Sequence, residues 1–551
     1  MNAPTGKLKP PASRENATLA ALVLLLLTAA IAFAWSHVKL LSQDEIFVLQ
    51  TDSVSSVREL IHIQRHFPIS LDPLVFHLLA HAATKLFGPT ALALRLPSIV
   101  GFLLMQLCIF FAARRIANSR VALVAMAFPA LTATLFFAPE ARPYGLLLGL
   151  YALAFVAWQS ATRSTKKDVI LSEASRSDAQ SKDPRISFAT PRPLSLILLA
   201  LAIALALNTH YFGVLILIPI VLAELARTLS RRRFDIPMAA AILLGAAAIV
   251  FALPFQHAAG EFRKHYYNAG AISLRAITQA YRSLFVNYTT QPLALQRLEA
   301  LLLSLFAIAL ILISIRRIRS REISLPSPEL VFLLALAALP LFGVLLAIFV
   351  THSIEVRYVL AAIIPIAIFF ALAIEPWLRY SLVRDSQLRT RLSATALLAF
   401  AILLAGFIRI RDEQAKSSAT LAQLVLPPAF KTQLLALPDS HLYIQDMGHF
   451  ELASYYQPDP DVRRRIALLY SRDEELKYDR HDTASLTAEH MQHFTAFPIV
   501  PYAQLKATPG DHMLILYHSG WDWTDQALAA DHSLLTPLGP ALDGDAVLAR
   551  F

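Results

Sequence analysis

Long apolar runs alternate with short polar stretches along the chain up to residue 409, where the pattern changes. A helix needs ~20 apolar residues to cross the hydrocarbon core of a bilayer. The runs predict about eleven membrane spans, and therefore an α-helical polytopic membrane protein. The predicted spans are 17–36, 93–113, 119–138, 143–161, 193–209, 211–228, 237–255, 298–315, 329–350, 358–376 and 392–409.

Beyond residue 409, short strand-like runs alternate with helix-like runs. This alternation is typical of a small soluble α/β domain with a mainly parallel sheet. We therefore divide the chain into a membrane domain, 1–409, and a soluble tail domain, 410–551. Within the membrane domain, loops 37–92 and 256–297 are long enough to carry interfacial helices. The predicted tail strands are 441–446, 465–470, 512–518 and 542–551, and the predicted tail helices are 449–456, 484–494 and 524–531.

The charges of the loops predict the orientation. Charged residues make up only 16% of the chain, and the formal net charge is +10. Cytoplasmic loops of membrane proteins collect Lys and Arg, so this charge favours a membrane protein over a nucleic-acid-binding one. Basic residues concentrate in alternate loops, most clearly at Arg231–Arg233 and 316–321. The N-terminus is thus predicted in the cytoplasm, and an odd number of spans places the tail domain outside.

The opposite loops carry acids and bases together. Taken singly, each group has a plainer explanation. Asp44 and Glu45 could be a solvated pair capping an amphipathic helix over 46–67, and Tyr144 could be an interfacial anchor. Taken together, they offer carboxylates for acid/base chemistry and guanidinium groups suited to a phosphate. The candidate site residues are Asp44, Glu45, Glu140, Arg142, Tyr144, His210, Arg263, Lys264, Arg357 and Tyr358.

The order of these motifs resembles a known family. Asp44-Glu45 follows the first span, and a Pro-Leu-aromatic helix ends in Phe87-Gly88. Arg-Leu-Pro-Ser at 95–98, Glu-Ala-Arg-Pro-Tyr at 140–144, His-Tyr-Phe-Gly at 210–213 and Arg-Tyr at 357–358 come next. This set resembles the bacterial polyprenyl-phosphate-dependent glycosyltransferases of the C-type fold, which are relatives of protein O-mannosyltransferases and of the aminoarabinose transferase acting on lipid A.

The resemblance implies transfer of a sugar from a polyprenyl-phosphate donor to a lipid, glycan or protein acceptor, on the outer face of the inner membrane. Asp44, with Glu45 beside it, occupies the place of the acid that activates the acceptor. A positioned carboxylate can take the proton of a hydroxyl as it attacks. Arg357 and Arg142, with His210 or Lys264, can stabilise the charge that develops on the leaving phosphate.

One segment departs from the family pattern. Where the family often has His-Pro-Pro-Leu, this chain has Leu71-Asp72-Pro73-Leu74. We interpret Asp72 as a helix N-cap, with a substitute carboxylate as the alternative. His77 and His81 share one helix face, and we favour buried histidines over a zinc pair because no third ligand is evident.

Other readings stay open. A multi-span lipid or sugar transporter, or a sensor whose tail domain binds a ligand, would also carry charges near the membrane. No cofactor is certain, although Asp44 with Glu45 or Glu140 could hold a divalent metal. Asp459-Pro460-Asp461 has the spacing of a metal motif, but a plain turn is the favoured interpretation. For the tail domain, acceptor recognition, a lid and a purely structural cap are all possible roles.

Overall fold

The computed structural model describes residues 13–174, 192–263, 265, 275–286, 292–351, 354–380, 387–436, 441–518 and 522–551. A helical membrane part is followed by a tail domain built on one sheet. The helices of the membrane part are α1 (Ser13–Val38), α2 (Gln43–Asp52), α3 (Val57–His66), α4 (Leu74–Phe87), α5 (Ala91–Ile116), α6 (Ser119–Leu131), α7 (Tyr144–Ala174), α8 (Arg192–Leu207), α9 (Leu217–Arg231), α10 (Ile236–Ala247), α11 (Leu253–Ala258), α12 (Arg275–Phe285), α13 (Leu293–Arg319), α14 (Ser327–Ala337), α15 (Leu339–Leu346), α16 (Ile363–Tyr380) and α17 (Gln387–Gln423).

Within the described residues, 7 helical segments are long and apolar enough to cross a membrane, and the pair Ser327–Ala337 and Leu339–Phe349, bent by 53°, makes up to 8. Every predicted span overlaps one of these segments or a shorter apolar helix. The protein is therefore a multi-span membrane protein, while the count of eleven stays a prediction. The shorter helices are Leu74–Phe87, Ser119–Leu131, Arg192–Leu207 and Ile236–Phe251.

Glycines allow α5 and α7 to pack backbone to backbone. A Cβ on Gly145 would lie 2.4 Å from the Ser98 carbonyl oxygen, and one on Gly149 would lie 2.4 Å from the Gly101 carbonyl oxygen. Small residues four apart permit this close approach between membrane helices. The contact also fixes the turn before α7, because the Ser98 hydroxyl donates to the Arg142 carbonyl oxygen.

The first long loop carries three helices. The single amphipathic helix predicted over 46–67 is divided into α2 and α3, because Ser53–Ser56 break it and Ser56 caps α3 by accepting from the Glu59 amide at 3.2 Å. The short helix expected before the second span is α4. In the second long loop, α12 is the amphipathic helix expected there.

The tail domain has a 6-stranded sheet in the order β3-β2-β1-β4-β6-β5. The first four strands pair in parallel, and β5 and β6 add an antiparallel edge. The predicted α/β class is confirmed, although the strands at 499–501 and 534–541 were not predicted. The strands are β1 (Leu442–Ile444), β2 (Ile466–Tyr470), β3 (Ile499–Pro501), β4 (His512–Leu516), β5 (Leu534–Ala541) and β6 (Gly544–Arg550), and the tail helices are α18 (Pro428–Ala436), α19 (Met447–Tyr456), α20 (Pro460–Arg463), α21 (Arg472–Tyr478), α22 (Thr483–Met491), α23 (Tyr502–Ala507) and α24 (Thr524–Ala530).

The tail domain packs directly on the first long loop. The Tyr456 hydroxyl at the end of α19 accepts from the Leu41 amide at 2.6 Å, and Gln50 on α2 donates to Glu451 on α19 at 2.8 Å. On α22, His490 contacts the Pro68 carbonyl oxygen at 2.8 Å. The tail domain therefore lies on the same face as the loop that carries Asp44.

Candidate active site

Asp44 and Glu45 lie in the first turn of helix α2, six and seven residues after α1 ends. Although they are adjacent, the two carboxylates face different surroundings. The Asp44 side chain is 39% exposed, whereas that of Glu45 is fully buried. The helical rotation at the start of α2 thus leaves one acid accessible to a substrate and buries the other.

Glu45 joins three parts of the chain. Its Oε1 accepts from Arg95 Nε at 2.7 Å and from the Ala141 amide at 2.7 Å, and its Oε2 accepts from the Ser42 amide at 3.0 Å. Burial raises the pKa of this carboxyl, but Arg95 and Lys39 outweigh burial and hold it well below its usual range. Glu45 therefore stays ionised and holds the loop in place. This revises the expectation that it shares the catalytic role with Asp44, because no oxygen of Glu45 is exposed to a substrate.

Arg95 completes this arrangement from α5. Its Nη1 donates to the carbonyl oxygens of Ser36 at 2.8 Å and Lys39 at 3.0 Å, and its Nη2 donates to Leu40 at 3.0 Å. The end of α1 and the start of α2 are thus anchored by one buried guanidinium. From the sequence, Arg95 was recognised only as part of the Arg-Leu-Pro-Ser motif. Its ion pair with Glu45 could not be predicted, because the two residues are 50 positions apart.

Two arginines converge on Asp44. Arg142 Nη1 lies 3.2 Å from Asp44 Oδ2, and Arg357 Nη2 lies 3.7 Å from the same oxygen. Arg142 comes from the turn before α7, and Arg357 from a short 3-10 segment, Val356–Ala362, before α16. The nearby Glu140 is held by Lys39 at 3.8 Å, and burial raises the pKa of its carboxyl.

Aromatic side chains support the arginines. The Arg142 and Arg357 guanidinium carbons lie 5.8 Å and 5.7 Å from the centre of the Tyr144 ring, within the range of cation–π attraction. Tyr358 stacks on Tyr144 with ring centres 6.3 Å apart, and His210 lies 4.8 Å from Tyr358. The predicted residues Glu140, Tyr144, His210 and Tyr358 thus surround the same two arginines.

Asp72 belongs to this group although its sequence context suggested a helix cap. The N-cap position of α4 is Pro73, so the N-cap interpretation of Asp72 is wrong. Its carboxylate instead lies 3.4 Å from Arg142 Nη2 and 3.6 Å from His210 Nε2. The one available signal was the acid itself, in a place where the family pattern has proline.

The remaining predictions on outer loops have mixed outcomes. The Arg263 side chain and Lys264 lie outside the described residues. His77 contacts Asp52 at 2.8 Å, and both side chains are fully buried. This agrees with the prediction that His77 is a buried histidine and not a zinc ligand. Asp459 caps α20, which fits the predicted turn. Among the described residues, no group of three or more His, Cys, Asp or Glu side chains could hold a metal ion.

Comparison with known proteins places this arrangement in context. The family described as dolichyl-phosphate-mannose-protein mannosyltransferase matches residues 72–175. The crystal structure of ArnT from Cupriavidus metallidurans in the apo state has a TM-score of 0.58 at 13% identity, covering 97% of this chain and 98% of that chain. The structure of the same protein bound to undecaprenyl phosphate has a TM-score of 0.57 at 13% identity, covering 98% of each chain. No curated protein sequence matches.

These comparisons confirm the resemblance that the sequence motifs carry. The family match begins at Asp72 and includes Arg95 and the turn at Glu140 to Tyr144. The structural similarity extends over nearly the whole chain, including the tail domain. The predicted fold class is therefore confirmed as a helical membrane part with the fold of ArnT and a C-terminal α/β domain, while the count of eleven spans stays a prediction.

Proposed function

We propose that this protein is a membrane glycosyltransferase that moves a sugar from a polyprenyl-phosphate donor to a lipid, glycan or protein acceptor. The reaction takes place on the outer face of the inner membrane, with the N-terminus in the cytoplasm and the tail domain outside. The observation that carries the proposal is the placement of one partly exposed carboxylate, Asp44, against two guanidinium groups, Arg142 and Arg357.

The arginines supply a site for the donor phosphate. A guanidinium group presents planar N–H donors that match phosphate oxygens. The Nε atoms of Arg142 and Arg357 are buried and make no hydrogen bond within the described part of the chain. Buried donors normally have partners, so a phosphate oxygen would complete this site. Such a ligand accords with the undecaprenyl phosphate bound by ArnT, which has the same fold.

Asp44 supplies the base. The acceptor oxygen attacks the anomeric carbon, the bond from that carbon to the phosphate oxygen breaks, and the acceptor proton passes to the Asp44 carboxylate. The polyprenyl phosphate leaves with the bonding electron pair, and Arg142 and Arg357 stabilise its new negative charge. A bound phosphate also competes with Asp44 for both guanidinium groups, so donor binding releases the carboxylate toward the acceptor.

Three positions serve as scaffold for this chemistry. Glu45 and Arg95 fix the start of α2, which carries Asp44. Ser98 fixes the turn that carries Arg142. A transporter is the less supported function, because the charges cluster at helix ends on one face of the protein, whereas transporters place their sites near the bilayer midplane on broken helices.

The test is transfer from labelled donors in membranes that contain the full-length protein. The donors are undecaprenyl-phosphoryl esters of several hexoses and pentoses, and the readout is release of undecaprenyl phosphate together with label on the acceptor fraction. We expect Asp44→Asn and Arg357→Ala each to lose activity by about a hundredfold or more. Asp461→Asn and Arg464→Ala, an exposed pair on the tail domain, are matched controls. Full activity in both site variants would refute the proposal.

A further inference from the structure

Three polar side chains, Asp72, Thr209 and His210, have no role in the proposed chemistry. Asp72 is 6% exposed, and its Oδ2 lies 3.4 Å from Arg142 Nη2 in an ion pair but accepts no hydrogen bond among the described residues. The Thr209 hydroxyl is fully buried and is likewise without a hydrogen bond there. His210 directly follows Thr209 in the sequence, and its Nε2 lies 3.6 Å from Asp72 Oδ1. Buried polar atoms without partners are uncommon and call for an explanation.

The protonation of His210 is determined by its surroundings. The Phe212 amide donates to His210 Nδ1 at 3.1 Å, so Nδ1 carries no proton and Nε2 does. Burial lowers the pKa of His210 to about 4, with Asp72 opposing that shift, so the ring is neutral near neutral pH. Its Nε2–H therefore points toward Asp72 across 3.6 Å, a distance too long for a good hydrogen bond.

The position of Asp72 relative to Arg142 indicates what it binds. Arg142 Nη1 faces the exposed Asp44, whereas Nη2 faces the buried Asp72. A phosphate oxygen would be repelled by the Asp72 carboxylate, but a hydroxyl or amino group would be attracted to it. A sugar esterified to a phosphate on Arg142 and Arg357 carries such groups within reach.

We infer that Asp72, with Thr209 and His210, forms a subsite for the transferred sugar in which the Asp72 carboxylate accepts a hydrogen bond from a hydroxyl or amino group, and that Asp72 determines which sugar is accepted. This inference rests on the proposed function. The tie between the two segments supports a preformed subsite, because the Val75 amide at the start of α4 donates to the Asn208 carbonyl oxygen at 3.0 Å.

The experiment compares discrimination between sugars with binding of the bare lipid phosphate. Full-length protein in lipid nanodiscs is supplied with undecaprenyl-phosphoryl sugars, and the best substrate is compared with its single-position deoxy analogues. We expect one deoxy analogue to be consumed about ten- to a hundredfold more slowly by the wild type, the range for a hydrogen bond to a charged group. In Asp72→Ala, the parent sugar and that analogue should be consumed at similar rates. Asp72→Asn serves as a second, closer variant.

Binding of undecaprenyl phosphate without a sugar separates the outcomes. The inference requires that its affinity be retained in the Asp72 variants while discrimination is lost. If discrimination persists in both variants and only bare-phosphate affinity falls, then Asp72 merely orients Arg142 and the inference is overturned. If the wild type consumes none of the undecaprenyl-phosphoryl sugars, the proposed function itself fails.

Discussion

Removal of the Glu45 carboxylate should destabilise the protein and should thereby impair activity indirectly. Glu45→Ala leaves the Arg95 charge buried without its counter-ion, since both are fully buried and joined at 2.7 Å and 2.9 Å. It also removes the acceptor for the Ser42 and Ala141 amides. The start of α2 then loses its attachments to α5 and to the turn before α7.

The magnitude follows from the burial of the pair. Breaking a buried ion pair by deleting one partner costs about 3–5 kcal/mol, because the remaining charge is left uncompensated. Glu59 provides a matched control, because it occupies the same third position of helix α3 and bonds the Ser55 amide at 3.0 Å, but in an exposed setting. Loss of an exposed capping contact costs about 0.5–2 kcal/mol.

The assay is equilibrium unfolding of the two purified variants in detergent micelles, together with transfer activity at a temperature where both are folded. Glu45→Ala should lose more unfolding free energy than Glu59→Ala, by at least about 1 kcal/mol. The reasoning is refuted if Glu45→Ala is as stable as Glu59→Ala and yet inactive, since that combination would indicate a direct chemical role for Glu45.

Three further predictions concern the supports of the site. Tyr456→Phe should accelerate hydrogen exchange at the Leu41 amide and lower stability by about 1 kcal/mol, as the hydroxyl that accepts from Leu41 is lost; Tyr455→Phe is the control. Burial raises the pKa of Glu451 from 4.5 to about 8, so the unfolded chain releases this proton first and stability should decline as pH rises between these values. The free energy of unfolding, measured across that pH range, should decline less steeply with pH in Glu451→Gln than in the wild type. An equal slope in the two proteins would show that Glu451 does not cause the decline. Gly145→Ala should lower the thermal unfolding temperature and transfer activity together, since its Cβ would meet the Ser98 carbonyl oxygen at 2.4 Å.

Much of the fold follows from local pattern. Apolar runs identified helices at every predicted span, and alternating short elements identified the class of the tail domain. The exact span count does not follow, because α6 ends at Leu131 and α8 covers only Arg192–Leu207, both shorter than a full crossing. The apolar pattern also changes at residue 409 inside a continuous helix, since α17 runs to Gln423. Hydropathy indicates whether a helix lies in lipid or in water, but it does not indicate the residue at which the helix ends.

The candidate site was predictable in composition but not in roles. Motif order brought Asp44, Arg142 and Arg357 into one hypothesis, and the structure places them together. Motif order could not show that Asp44 is exposed and Glu45 buried. The exposure of these adjacent residues depends on partners such as Arg95, which is distant in sequence. Asp72 was misinterpreted for the same reason. Its local context, an acid before proline, is that of a cap, whereas its partners come from other loops.

The weak strands of the tail domain were missed for a related cause. β5 contains Pro537, Gly539 and Pro540 and lies at the antiparallel edge of the sheet, with a register shift between Pro537 and Gly539. Proline and glycine argue against a central strand, but both are tolerated at an edge or a bulge. Only the pairing with β6 shows that this segment belongs to the sheet.

The central claim is that Asp44 is the base and that Arg142 and Arg357 bind the donor phosphate. The most direct measurement compares donor binding and turnover for Asp44→Asn in one preparation. Asparagine retains the shape of the side chain but cannot accept the proton, and it no longer competes with a phosphate for the two arginines. The account predicts that undecaprenyl phosphate binds Asp44→Asn at least as tightly as wild type, while transfer falls by about 10²–10⁴-fold. Transfer at the wild-type rate, or loss of lipid-phosphate binding equal to the loss of transfer, would contradict it.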